Sequence, residues 1–257
     1  EIAGSSPGRP MTAVAKNPAT VLLLGATGAT GRLLLRELLV KGHRVRAIVR
    51  SPDSLPPDLK THPGLELTRG TALALDEDAL RRQVQGCDAV ASCLGHNLSF
   101  KGMFGAPRKL VTDSLRSVCE QIAETRPRRR VRVVLMGSSG VRNLDAAERI
   151  SPAQSIVIFL LRWLLPPHRD NEQAAEYQRM QIGRNDPFIE WTVVRPDGLI
   201  DADEVSEYAL HASPTRSAIF DAGSVSRANV AHFMNRLVTD DDTWDEWHGR
   251  MPVIYSR

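Results

Sequence analysis

Short apolar runs alternate along this chain with stretches whose apolar residues recur at helical spacing. TVLLL (20–24), RVRAIVR (44–50), LELTRG (65–70), DAVASCLG (88–95), VRVVLMGSSG (131–140) and EWTVVRP (190–196) read as six strands. Between them, RLLLRELLVKGH (32–43) predicts a helix stopped by Gly42, and residues 76–85 a short helix ended by Gly86. A Pro-rich loop spans 51–63. The stretch near 107–124 predicts a long helix with Val111, Leu115, Val118, Cys119 and Ile122 on one face. Late in the chain, SVSRANVAHFMNRLVTD predicts a helix capped by Ser226, with Val230, Phe233, Met234 and Leu237 as its buried stripe. His232 falls off that stripe and reads as a surface residue.

Six apolar strands alternating with helices call for a parallel sheet covered on both faces. The fixed hand of crossover connections makes the doubly wound arrangement the natural solution. The expectation is therefore an α/β Rossmann fold with a mainly parallel sheet of six or seven strands. Residues 18–257 form one domain in this reading. Residues 1–17 are a flexible tail or an expression remnant, with Met11 as a native start.

Composition narrows the function. The chain has 257 residues, 42% hydrophobic and 25% charged, with a formal charge of +3 spread along its length. The one dense basic cluster, RPRRRVR (126–132), runs into an apolar strand and has no aromatic stacking platform, so it reads as a solvated loop and not a nucleic-acid patch. Cys87, Cys93 and Cys119 lack metal spacing, and their odd number argues against a disulfide framework. That favours a reducing, cytoplasmic setting. No apolar segment reaches the roughly 18 residues of a membrane span. No nucleic acid, membrane or metal partner is expected.

The chemistry starts at GATGATG (25–31), where the first strand hands over to a helix. In a doubly wound sheet that turn faces a dinucleotide's pyrophosphate, met by backbone N–H groups and the positive end of the helix dipole. Gly25 permits the tight turn, Gly28 the close approach to phosphate, and Gly31 the packing of helix on strand. Thr27 and Thr30 add hydroxyl donors. A NAD site usually carries Asp or Glu about 20 residues on, for the ribose 2′-hydroxyl. Here the second strand ends in Arg50 and Ser51 with no acid nearby, and a guanidinium fork suits the 2′-phosphate of NADP.

GATGATG, VRAIVRSP, CDAVASCLG, VVLMGSSG and WTVVRPDGLI, in that order, resemble the atypical short-chain dehydrogenase/reductases with an NmrA-like NAD(P)-binding fold, over about residues 20–240. The look is nearest to the flavin reductase/biliverdin-IXβ reductase type, through CLGHNLS (93–99) and the VSR…HFM stretch at 225–239. The resemblance implies that Leu94, Gly95 and Asn97 lie along the cofactor's nicotinamide-side ribose and phosphates. It also implies that Ser138 sits beside the nicotinamide and that RPDGL (195–199) lies near the carboxamide, with Pro196 binding the cofactor, and helps to wall the substrate pocket. Relatives often read Gly-Asp after the third strand, where this chain has Gly70–Thr71.

Most short-chain dehydrogenases use Tyr-x-x-x-Lys on a helix, the ammonium lowering the phenol pKa for proton transfer. That dyad is absent. Tyr177 is followed four positions on by Gln181, Tyr208 by Ala212, and Tyr255 lies too near the end. Hydride transfer to a flavin or tetrapyrrole needs stacking on the nicotinamide, with protons available from solvent. Ser138 is the first candidate for a polar contact at the reacting end, then Ser139, with Tyr177 and His96 behind. Segment 141–175 is long for a strand-to-helix link and reads as a small substrate-side lid. Its apolar run SIVIFLLRWLLPP (155–167), with Arg162 and Trp163, fits a lid or oligomer contact and a core helix equally, and a membrane-surface helix less well.

Two function classes stay open. The leading one is an NADPH-dependent reductase acting on a small, flat, conjugated acceptor such as a flavin or quinone, as a monomer or homodimer. The rival is a non-catalytic NAD(P)-binding redox sensor. A nucleotide-sugar epimerase or dehydratase suffers from the missing dyad and the short C-terminal half.

Overall fold

The computed structural model of the chain describes residues 18–95, 107–146, 148, 166–202, 204–217 and 220–257. The N-terminal tail, His96, Asn97, and Arg162 and Trp163 of the apolar run lie outside the described residues.

The elements follow the expected alternation: β1 (Thr20–Leu24), α1 (Ala29–Val40), β2 (Arg44–Val49), α2 (Pro57–Lys60), β3 (Leu65–Arg69), α3 (Glu77–Val84), β4 (Ala89–Ser92), α4 (Leu110–Thr125) and β5 (Val131–Met136). After them come α5 (Pro166–Tyr177), β6 (Ile189–Pro196), β7 (Gly198–Ile200), β8 (Tyr208–His211), β9 (Ser224–Ser226), α6 (Arg227–Thr239), α7 (Asp241–Trp247) and β10 (Val253–Ser256). The main sheet runs β3-β2-β1-β4-β5-β6-β10-β8. Its pairings are parallel up to β10, and β8 closes the edge antiparallel. Eight strands are therefore described where six or seven were expected. The additions, β8 and β10, are four residues each and too short to show a period against their flanks. A separate parallel pair, β7-β9, sits beside the sheet.

β1 pairs in register with β2 (Val21↔Val45) and with β4 (Val21↔Ala89), so the chain reverses direction of sheet growth at β1. That is the topological switch point where doubly wound sheets bind ligands. Alternation along β1 supplies both cores. Val21 and Leu23 pack with Leu34, Leu35 and Leu38 of α1 and with Phe233, Met234 and Leu237 of α6. Leu22 and Leu24 pack with Val111, Leu115, Val118 and Ile122 of α4. Both predicted stripes are buried. Ser226 caps α6 as expected, its side chain accepting from Asn229 N–H at 3.0 Å.

His232 departs from expectation. It is half-buried, with Nδ1 2.9 Å from the Tyr208 hydroxyl. The cause is β8, which lays Tyr208 against α6 and covers a face that would otherwise meet water.

Candidate functional site

The turn after β1 shows why three glycines stand there. Gly25 has φ +80, a conformation costly for any residue with a Cβ, and a Cβ on it would lie 2.6 Å from the Cys93 carbonyl oxygen. A Cβ on Gly31 would lie 2.1 Å from the Gly25 carbonyl oxygen, so α1 can approach the turn only with glycine there. Gly28 differs. It is the exposed N-cap of α1, with φ −73, and its nearest neighbour for a Cβ is Gly25 O at 3.3 Å. α1 starts three residues before the predicted 32, directly on the loop. Its first-turn N–H groups have no intrahelical acceptor, and no side chain caps them.

These N–H groups open on a cleft of about 600 Å³ at the switch point. Gly25, Thr27, Gly28 and Thr30 line it from the turn, Arg50 from the end of β2, and Gly70 to Ala74 from the turn after β3. Leu94 and Gly95 follow β4, Leu110 and Ser114 come from α4, and Met136 ends β5. Its described lining carries two arginines, Arg50 and Arg227, and no carboxylate. Arg50 is exposed and makes no ion pair among the described residues, while Arg227 is tied to Asp201 at 2.8 Å. Thr71 does locally what a turn carboxylate would do, its hydroxyl accepting from Ala74 N–H at 3.1 Å. A turn with no room for a Cβ at Gly25 or Gly31, a free helix N-terminus and an arginine without an ion pair among the described residues fit a dinucleotide.

Gly31 and Ser51 are next to this cleft but do not line it, and neither do Ser138, Ser139 and Pro196. Ser138 stands two residues beyond Met136, half-buried, with its Oγ accepting from Gly140 N–H at 3.3 Å. Ser139 is committed elsewhere: its hydroxyl donates to buried Asp197 at 3.0 Å and its N–H to Pro196 O at 2.9 Å. Asp197 also accepts from Gly223 N–H at 2.8 Å. Ser139 and Pro196 thus hold β5 to the β6 end, and Ser138 alone keeps a hydroxyl proton to give.

Tyr177 drops out of the reacting end. It lines a different groove, of about 810 Å³ between α4 and α5, under the Arg116 guanidinium at 5.5 Å. Burial pushes its phenol well above the ordinary value. It lies nine residues along α5 from His168, about 13.5 Å by helical rise. His168 is what the sequence reading missed. The point that a Gly140 Cβ would occupy is 3.2 Å from His168 Cε1, 3.7 Å from its Nδ1 and 3.7 Å from Ser138 Oγ. Its signal was the i, i+4 spacing of His168 and Glu172 in PPHRDNEQ. Arg227 also went unremarked, although it directly follows the predicted cap Ser226.

The three thiols are buried. Burial pushes Cys87 up to about 11, lowered only in part by Arg46, and Cys93 up to about 12. Cys119 is pushed higher still, by burial with Asp186 and Glu120 adding. No cluster of metal-ligating residues occurs among the described residues. No described helix is long and apolar enough to cross a membrane.

Sheet order, glycine turn and cleft define a dinucleotide-binding α/β protein. The chain belongs to the NAD(P)H-binding family, whose model matches residues 25–241. Averufin oxidase A of Aspergillus flavus is 27% identical to it over 244 residues, 90% of this chain and 80% of that protein. A short-chain dehydrogenase/reductase from Veillonella parvula, solved in complex with NADP, matches with TM-score 0.66 and 17% identity over 93% of this chain and 94% of that one. An anaerobillin reductase from Escherichia coli O157:H7 matches with TM-score 0.63 and 18% identity over 92% of this chain and 97% of that one. The fold is shared with these short-chain dehydrogenase/reductase-like proteins, in line with the resemblance read from the sequence.

Proposed function

We propose that the protein is an NADPH-dependent reductase of a small, flat, conjugated acceptor such as a flavin or quinone, working in the cytoplasm as a monomer or homodimer. The observation that carries this reading is Arg50, a guanidinium at the rim of the cleft with no carboxylate partner among the described residues. A bidentate cation at the end of β2 recognises the 2′-phosphate that separates NADP from NAD. Two relatives carry the names of an oxidase and a reductase, which agrees with redox chemistry.

The residues divide the work. Gly25, Gly28 and the first turn of α1 take the pyrophosphate, with Thr27 and Thr30 beside them, and Ser51 assists Arg50. Leu94 and Gly95 flank the nicotinamide-side ribose. Met136 and Leu199 give the cleft apolar walls that exclude water from a stacked pair of rings. Ser138 offers a hydroxyl at the reacting end. A bound dihydronicotinamide supplies the hydride, and stacking geometry is what the chain must provide.

The test is NADPH oxidation by the purified protein against FMN, riboflavin and a panel of quinones. Steady turnover with at least one acceptor is expected. Tight NADPH binding without turnover on any of them would make the protein a cofactor-binding sensor.

A further inference from the structure

We propose that His168 is the proton donor of the reaction and that Glu172 orients it, an inference that rests on the reductase reading above. The two residues are one turn apart on α5, with His168 Nε2 3.5 Å from Glu172 Oε1. Nε2 is shielded from solvent and makes no ordinary hydrogen bond among the described residues, so the carboxylate is the group it faces. That arrangement favours the tautomer with its proton on Nε2 and leaves Nδ1 to exchange protons on the other side. There the ring meets the loop after β5: its Cε1 and Nδ1 and the Ser138 Oγ all lie within 4 Å of the point where a Gly140 Cβ would be. A side chain at position 140 would fill the space between hydroxyl and imidazole, and glycine keeps it open.

The start of α5 is also held at the cleft. Asp170, two residues on, is buried and accepts from Val111 N–H at 2.8 Å and Thr112 N–H at 3.0 Å, capping α4 beside the cleft residue Leu110. The start of α5 is thus fixed against the start of α4, and the imidazole lies beside Gly140 and Ser138, in the loop that follows the cleft residue Met136. Its charged surroundings among the described residues are Glu172 and Arg169 on its own helix, and Arg142, which shares a groove with Glu172. From the loop after β5, the described residues nearest the ring are the uncharged Ser138 and Gly140.

The balance is simple. The acceptor gains a hydride as a new bond to it forms and the dihydronicotinamide C4–H bond breaks. The electron pair displaced within the acceptor ends on a nitrogen or oxygen, which takes a proton from imidazolium Nδ1 directly or through the Ser138 hydroxyl. Solvent returns the proton to His168.

Turnover of His168→Ala and His168→Asn with the best acceptor should fall about 100-fold, with NADPH affinity by calorimetry within about twofold of wild type. Added imidazole should restore His168→Ala. Independently of activity, ¹⁵N shifts of the neutral imidazole should show the Nε2–H tautomer in the wild-type protein and a mixture in Glu172→Gln. Undiminished turnover, or a loss that imidazole does not restore while NADPH still binds, overturns the donor role. An unaltered tautomer in Glu172→Gln overturns the orienting role. A wild-type protein that binds no NADPH would overturn the reductase reading itself, a result the variants cannot mimic.

Discussion

Arg195 Nη2 and Glu148 Oε1 meet at 2.7 Å with the guanidinium fully buried. The guanidinium also donates to the carbonyls of Met251, Val141 and Ala212, and Glu148 Oε2 accepts from Asn143 N–H. This network bolts β6 to the loop after β5, to the segment before β10 and to the residue after β8. A buried pair that loses one member leaves an uncompensated charge, which costs about 3–5 kcal/mol. Glu148→Ala should therefore lower unfolding stability by that amount in urea titrations. Arg195→Met with Glu148→Leu should be milder than either single change.

The same pair marks the limit of what the sequence shows. RPDGL was expected to wall a substrate pocket: Leu199 does line the cleft, whereas Arg195 and Asp197 are spent on internal contacts, whose partners lie 47 and 58 residues away with no local pattern to signal them. The glycine turn, β1 to β6 and both helix stripes were legible because spacing within each segment encodes them. β8, β10 and the burial of His232 come from tertiary pairing alone. His168 was legible in principle. Its i, i+4 partner Glu172 lies within the same segment, unlike the partners of Arg195 and Asp197.

Gly28 and Gly31 should fail in opposite ways. Alanine at 31 drives a methyl to 2.1 Å from backbone that cannot yield. Gly31→Ala should cost about 3 kcal/mol or more of stability, visible as a drop in melting temperature. At 28 the backbone is ordinary for alanine and the crowding is mild, so Gly28→Ala should fold normally. Its methyl occupies phosphate space, so its NADPH affinity should fall at least tenfold by calorimetry. Equal loss of stability in both variants would contradict the division of labour.

Acid should destabilise the fold through two histidines. Burial holds His43 below the ordinary imidazole value of 6.5, with Lys41 adding and Asp88 opposing. Its Nδ1 accepts from Ala19 N–H at 3.1 Å, which a protonated ring cannot do. Burial, Lys41 and Arg236 depress His232 likewise. Above 6.5 both states are neutral and nothing is lost. Below it the unfolded chain takes up protons that the native state refuses, so stability falls as the pH drops towards the folded values. The urea midpoint should decline from about pH 7 to about pH 5, less steeply in His43→Gln.

The cysteines should be chemically silent in the native state. All three are buried and their thiols held well above neutrality. Only thiolate reacts appreciably. A disulfide reagent at neutral pH should titrate almost no thiol in the native protein and three in denaturant. A fast-reacting thiol in the native protein would mean that at least one site is more open than its burial shows.

The proposed part of Arg50 in cofactor choice has a direct test. With no carboxylate to satisfy it among the described residues, its removal frees no buried partner and should leave stability unchanged. A charge-assisted contact of this kind contributes about 1.5–3 kcal/mol, so Arg50→Ala should weaken NADPH binding about 10- to 100-fold. NADH, which lacks the 2′-phosphate, should bind both proteins alike. Calorimetric titration of the two cofactors into the two proteins measures all four values. Because NADH is the internal control, a general distortion of the cleft would lower both affinities, whereas loss of the phosphate contact lowers only one. Equal NADPH affinity with and without Arg50 would remove this residue from the site and leave cofactor preference to Arg227 or to the glycine turn.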